Sequence, residues 1–341
     1  MNQRGETQGR SNRSGALEMS KPSREGAVSV IIPTMLRPEL LQAVESVNNQ
    51  SLPRRLIEIV LVVDLAHVDM DTDVESLRIR LSLLRSDRII LTGGGQRGGG
   101  ARQMGVEAST GSWIAFLDDD DFWDANKLDV QLKLATRSKT SARGLVLSCR
   151  VRQVHGALAK AGVNEIPRQL MRDDERVEDY LFRRRILSAQ RASLFTSTLL
   201  ISADLARAVP WNADLPRHQD WDWLVRATRL PDTRLVQTQE VLATIRLGSP
   251  NSISARSDWK SSLRWVENIA GDWSRWTVSD FLAAQTLRYA LQARSLRGVW
   301  LTVAAIGRTR CPPSLSCVSI GLAGLLGRST FERMLMRHRR H

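Results

Sequence analysis

The first 27 residues, Met1 to Ala27, are polar and rich in Ser, Gly and Arg, with no apolar stretch of the kind a signal peptide needs. They predict a disordered tail, within which Met19 is a second candidate start. Apolar patterning begins at Val28-Ser-Val-Ile-Ile-Pro33, a β-branched run that predicts a strand. Pro38 to Asn48 follows with Leu40, Leu41, Val44 and Val47 at helical spacing. Ile57 to Asp64 (IEIVLVVD) is apolar without alternation, as a strand covered on both faces should be, and it ends on a carboxylate.

Val74 to Leu84 reads as a helix, Arg88 to Thr92 as a third strand, Gly99 to Ser109 as a helix and Trp113 to Leu117 as a fourth strand. This alternation predicts a mostly parallel sheet with helices on both faces. Ligands then bind at the carboxyl ends of the strands, where Asp64 and Asp118 stand. Farther on, Asp124 is a candidate N-cap before a helix over Lys127 to Ala135; Gly144 to Val151 and Phe195 to Ser202 read as strands, and Asp220 to Arg229 as a helix. Residues 152–193 give no clear assignment, and beyond about residue 258 the chain is tryptophan-bearing and helix-compatible up to the Cys311-Pro312-Pro313 break.

At 341 residues the chain can bury one large core, or one core and a helical appendage, without crosslinks. Its cysteines, Cys149, Cys311 and Cys317, form neither a CxxC pair nor a metal spacing, and their odd number argues against a disulfide framework; a reducing cytoplasm fits. The net charge of +13 is concentrated at the C-terminus, where residues 294–341 hold nine arginines against the single acid Glu332. The apolar runs there, Val299 to Ile306 and Leu315 to Leu326, fall short of the ~20 residues of a membrane span. Attachment to an anionic membrane surface is one reading, with a peripheral place on the inner face of the plasma membrane; packing on the catalytic domain is the other. No zinc spacing or RNA-binding aromatic motif supports a nucleic-acid partner.

Asp118-Asp119-Asp120-Asp121 is the most informative feature, because four acids directly after a buried strand repel unless a positive charge sits among them. Mg2+ or Mn2+, held by one or two carboxylates and substrate phosphates, answers that need; a solvated acidic turn is the plain alternative. Asp64 can accept hydrogen bonds from a base or ribose, or simply form a turn. Gly93, Gly95 and Gly98 satisfy G-x-G-x-x-G, which raises a nucleotide-dependent oxidoreductase as a rival. Against it, the first strand-to-helix turn, Pro33-Thr-Met-Leu-Arg-Pro38, has no glycine, so the run reads better as a loop bordering a phosphate site. His218-Gln-Asp-Trp-Asp-Trp223 offers two acids flanked by indoles, suited either to a sugar ring and a proton acceptor or to a core helix start.

Four ordered motifs over about residues 28 to 250 resemble the family 2 glycosyltransferases of GT-A fold: Val28–Thr34, Ile59–Asp64, Ala101-Arg-Gln-Met-Gly105 and Ala115–Trp123. The resemblance implies a nucleotide-binding half over 28–125, an acceptor-binding half over 126–250 and a basic helical extension over 251–341. It implies that Asp64 contacts the base, Asp118 the ribose or metal, and Asp120 the metal that bridges the diphosphate. Pro33, Thr34, Arg102, Asp119 and Arg246 join the expected nucleotide-sugar contacts. Gln219-Asp220-Trp221 is similar to the family's Glu-Asp acceptor-side motif, which makes Asp220 the expected base, with Trp221 and Asp222 on the acceptor side. Leu65 replaces a usual second Asp, and Gln219 stands where Glu is common. The implied reaction is an inverting transfer from a nucleoside-diphosphate sugar to a saccharide or lipid-linked acceptor; an inactive transferase is disfavoured by the intact Asp120 and Asp220.

Overall fold

Strand β1 (Arg24–Thr34) pairs in parallel with β2 (Ile57–Val63) on one side and β4 (Gly111–Phe116) on the other, while β3 (Arg88–Leu91) adds to β2, giving the order β3-β2-β1-β4. The computed structural model describes residues 24–67, 74–138, 144–155, 165–184, 193–247 and 257–325. The chain moves outward through β2 and β3 and then returns to the far side of β1, so a topological switch lies between β1 and β4. Every residue of β2 is buried, and its two faces enter two separate cores. Val60 and Val62 join one core with Ile31, Ile114 and Phe116; Ile59, Leu61 and Val63 join the other with Val30, Ile32 and Leu117. That side-to-side alternation inside a run apolar at every position but Glu58, which is buried on Ser29 and Arg88, is what a doubly covered strand requires.

Helices α1 (Leu40–Asn48), α2 (Val74–Arg80) and α3 (Arg97–Ala108) connect these strands, and α4 (Lys127–Arg137) follows the acidic run. Beyond β4 the sheet becomes mixed. A short β5 (Phe122–Trp123) precedes β6 (Gly144–His155), with β7 (Glu165–Ile166) paired to β6; β8 (Leu200–Ser202) joins β4 and β6 antiparallel, and β9 (Thr233–Leu247) runs parallel to β6 and holds β5 at its edge. Helices α5 (Val177–Phe182), α6 (Ala203–Ala208) and α7 (Gln219–Thr228) complete this half.

The C-terminal part is helical, as the sequence predicts: α8 (Trp259–Ile269), then α9 (Arg275–Phe281) running through a π-helical turn at Leu282–Leu287 into α10 (Arg288–Gln292), then α11 (Leu296–Thr309) and α12 (Leu315–Leu322). The break falls at Cys311–Pro313. Phe182, Trp221, Trp265, Trp273 and Phe281 pack edge-on, stacked or tilted with centroids 5.0–6.4 Å apart, fastening α5 and α7 to the C-terminal helices.

Several boundaries differ from the sequence reading. β1 starts at Arg24, four residues inside the expected tail, with Gly26 at φ +75° where the pairing with β4 shifts register. The expected strand over Phe195 to Ser202 is a buried 3-10 turn (Thr196–Thr198) followed by the three residues of β8. Asp124 is not a cap: α4 has Asn126 at that position, and the Asp124 carbonyl instead accepts from Gln50 Nε2 and the Lys127 amide.

Candidate active site

The four acids leave β4 at the switch point, and each is directed differently. Asp119 is buried and turned toward β1, where its Oδ2 accepts from the Thr34 hydroxyl (2.8 Å) and the Met35 amide (3.3 Å). Asp121 is buried the opposite way: Ser197 donates to its Oδ2 (2.6 Å), and the Arg246 amide on β9 donates to its Oδ1 (3.0 Å). Asp119 and Asp121 thus anchor the turn, and Asp118 and Asp120 stay half-exposed at its mouth. Thr34, expected to line the nucleotide site, is itself buried and uses its hydroxyl to hold Asp119 and to cap the Leu36 amide. Pro33 lies beside Val62 in the β1–β2 register.

Asp120 faces Arg37, whose Nη1 lies 3.2 Å from it and 3.5 Å from Asp119. Burial and the negative charges of Asp118 and Asp119 nevertheless push the Asp120 carboxyl up to about 6, with Arg37 offsetting only part. Burial likewise raises Asp119, against its Thr34 bond and Arg37, and raises Asp121 well above the usual carboxylate range. The turn therefore disfavours ionisation of its own acids, through burial first and their mutual repulsion second. No group of three or more His, Cys, Asp or Glu among the described residues converges as a metal cage. Asp118 and Asp120, partly exposed and so placed that the charge of Asp118 raises the cost of ionising Asp120, fit a cation that takes one or two protein oxygens and completes its shell with phosphate.

Arg102 projects from α3 into the centre of the site. Its Nη2 donates to Asp118 (2.5 Å), its Nη1 to Gln219 Oε1 at the start of α7 (3.4 Å), and its guanidinium lies 5.2 Å over the Trp211 ring. The adjoining glycines explain how α3 and α7 come this close. A Cβ on Gly98 would meet Arg102 and Gln219 at 2.8 and 3.0 Å, and one on Gly99 would meet the Asn212 carbonyl at 2.8 Å. Gly98 and Gly99 thus form a packing surface, continued inside α3 by Gly105, where a Cβ would stand 2.4 Å from Ile31, whereas Gly93 and Gly95 border open space and serve the loop through positive φ (+78° and +82°).

Asp64 follows β2 and gathers the loop between β3 and α3: Thr92 (2.5 Å) and the Gln96 amide (3.0 Å) donate to its Oδ1, and the Arg97 amide (2.8 Å) donates to its Oδ2. A carboxylate offers about four acceptor positions, so Asp64 keeps capacity for an N–H of a base while ordering the loop.

Asp220 lies in the first turn of α7, within electrostatic reach of both Arg102 and Asp118. Burial raises its carboxyl first, its neighbouring amides and Arg102 lower it, and Asp118 raises it again, with a net upward shift. Trp221 stacks on His218 (4.7 Å, 10°) and packs partly buried against the aromatic cluster, while Trp223 is fully buried, so the indoles have core roles on α7.

Asp222, expected on the acceptor side, is turned toward α8. Two positions along a helix turn the side chain by about 200°, away from Asp220. There Asp222 is buried and accepts from Trp265 Nε1 (3.0 Å) and Arg226 Nε (2.8 Å), pinning α7 to α8 beside a groove of about 420 Å³. Asp222→Ala should leave both donors unpaired and cost about 1–3 kcal/mol of stability. The expected result is a lower melting temperature with donor affinity unchanged; a loss of affinity at constant melting temperature would return Asp222 to the binding site.

Arg246 also sits differently from expectation: its guanidinium reaches Gln42 on α1 and lies 5.7 Å over the Phe122 ring, near the acidic turn but not bonded to its carboxylates. Sequence reasoning missed Arg37, Ser197 and Trp211. Arg37 had a usable signal, because it follows a strand end in the Pro33–Pro38 turn. Ser197, which also accepts from the Asp118 amide (3.1 Å), was hidden inside an expected strand.

Residues 29–195 match Glycosyl transferase family 2. The chain is similar to the amylovoran biosynthesis glycosyltransferase AmsB of Erwinia amylovora, 26% identical over 284 residues that cover 79% of this chain and 86% of AmsB. Among solved structures it is similar to TarS of S. aureus, with a TM-score of 0.54 and 16% identity, covering 91% of this chain and 55% of that one. The shorter TarS 1-349 in complex with UDP-GlcNAc gives a TM-score of 0.53 at 15% identity, covering 92% and 91%. The fold is therefore GT-A with C-terminal helices, and the oxidoreductase reading of the glycine loop is set aside.

Proposed function

We propose that the chain, whose residues 29–195 match Glycosyl transferase family 2 and which is similar to AmsB along 79% of its length, is a glycosyltransferase of that family that moves a sugar from a nucleoside diphosphate to an acceptor hydroxyl with inversion, in the assembly of a cell-surface polysaccharide or glycolipid. The observation that carries this reading is Arg102, which bonds Asp118 on the donor side and Gln219, next to Asp220, on the acceptor side. One guanidinium thereby ties the acidic turn to the residue suited to remove a proton.

In this reading Asp64 receives the base, and Asp118 receives the ribose or, with Asp120, Mn2+ or Mg2+. The chemistry a bound cation supplies there is Lewis-acid neutralisation of charge on the departing diphosphate. Asp119 acts from behind, holding the turn through Thr34. Arg246, close by on β9, is available to the diphosphate if it leaves Gln42. Asp220 takes the acceptor proton as the hydroxyl attacks the anomeric carbon, on the side opposite the leaving diphosphate. UDP-GlcNAc in the TarS 1-349 complex supports a nucleoside-diphosphate sugar as donor, and the amylovoran role of AmsB supports a saccharide or lipid-linked acceptor.

A thermal-shift screen tests the donor class, since a ligand that binds only the native state at 100 times its Kd adds about 2.7 kcal/mol of apparent stability. We expect a nucleoside diphosphate to raise the melting temperature in the presence of Mn2+. A shift with a nicotinamide dinucleotide and none with any nucleoside diphosphate would refute the reading.

A further inference from the structure

Helix α11 is apolar on opposite faces. Its inner face, Gly298, Thr302 and Ala305, is buried, and a Cβ on Gly298 would stand 2.7 Å from the Trp259 ring, so contact with α8 is close. Its outer face carries Leu296, Trp300 and Val303 at i, i+4 and i+7, all exposed, with 68% of the Trp300 surface open. Helix α12 repeats the arrangement. Gly321 packs so closely on the π-helical turn that a Cβ would lie 2.4 Å from the Ala283 carbonyl, whereas Leu315 and Leu322 stand out on the other side, Leu315 78% exposed. A helix that is apolar all round normally has both faces covered.

The charge around these rows indicates by what. Neither α11 nor α12 contains an acid, Arg297 and Arg308 follow the edge of the α11 row, Arg308 paired with Glu267 of α8 at 3.1 Å, and residues 294–341 hold nine arginines and one glutamate. We propose that the outer face of α11, led by Trp300, and with it the leucines of α12, seats the chain on an anionic lipid surface. An indole suits the boundary between acyl chains and headgroups, and arginines beside it meet lipid phosphates. A second copy of the chain is a poorer occupant, since a two-fold contact would set this cationic segment against itself. None of the described helices is long and apolar enough to cross a membrane, so the contact is interfacial.

This inference goes beyond the transfer reaction and is tested without it. The full chain is sedimented with vesicles of phosphatidylcholine alone or mixed with phosphatidylglycerol. It should pellet with the anionic vesicles at low salt and release as salt rises, because exposed charges are screened beyond about 10 Å at 0.1 M. Trp300→Glu, at an exposed position, should weaken binding about tenfold or more at unchanged melting temperature, and Leu315→Glu should act in the same direction. Full chain left in the supernatant at low salt overturns the proposal, as does equal binding by wild type and both variants. Concentration-dependent dimerisation that Trp300→Glu abolishes, without vesicle binding, would assign the face to a second copy instead.

Discussion

Asp220→Asn should retain the nucleoside-diphosphate donor and lose turnover by about 10²–10⁴-fold, the range for removal of a general base. Single-turnover kinetics with saturating donor, alongside a binding titration, separates the two effects. Loss of donor affinity in parallel with rate, or a rate scarcely changed, would remove Asp220 from the role of base. As the proposed base, the same residue should set the acid limb of the pH profile. Its carboxyl is raised by burial, so in the folded enzyme it takes up a proton at higher pH than an ordinary aspartic acid, and the base is lost as pH falls through that raised value. The stability effect has the opposite sign. A carboxyl whose folded pKa is above its unfolded value opposes folding once pH exceeds the unfolded pKa. At neutral pH Asp220→Asn should therefore melt no lower than wild type. Asp222→Ala should do the reverse, keeping the chemistry and losing stability, which makes the neighbouring pair a discriminating control.

The parallel half of the fold was legible because β2 and the second half of β1 are predominantly apolar and each runs into a recognisable polar residue, Asp64 or Thr34. The mixed half was not. β9 runs 15 residues, but only Leu235 and the stretch 242–245 are buried; its middle, Gln237 to Glu240, is polar and lies where the pairing with β6 slips register. Periodicity has nothing to report in such a segment. The candidate site shows the same division. An acidic run after a buried strand identifies itself, yet the run's internal division of labour, Asp119 and Asp121 inward and Asp118 and Asp120 outward, depends on partners at Thr34, Ser197 and Arg246 that lie 76 to 125 residues away. The glycine run shows the limit of motif matching. Its spacing fits a dinucleotide fingerprint, whereas here Gly93 and Gly95 serve a loop of positive φ and Gly98 lets α3 approach α7.

Asp120→Asn should abolish Mn2+-dependent binding of a nucleoside diphosphate while leaving the fold intact. The physical basis is charge: burial first, and then the neighbouring carboxylates of Asp118 and Asp119, push Asp120 up to about 6, with one guanidinium 3.2 Å away as its described partner. An amide of the same shape keeps the volume, and Arg37 keeps Asp119 at 3.5 Å, so the turn has no reason to unfold. What disappears is the negative oxygen that a hard cation needs. A pH titration of the wild type adds a second readout. A cation competes with the proton for this carboxylate, so Mn2+-dependent affinity should fall as pH drops through about 6, and binding should release protons there. Calorimetry in buffers of different ionisation enthalpy would register that release directly. If Asp120→Asn binds the Mn2+–nucleotide as tightly as wild type, Asp120 serves only as a partner for Arg37, and the metal reading falls back on Asp118, whose oxygen is already engaged by Arg102.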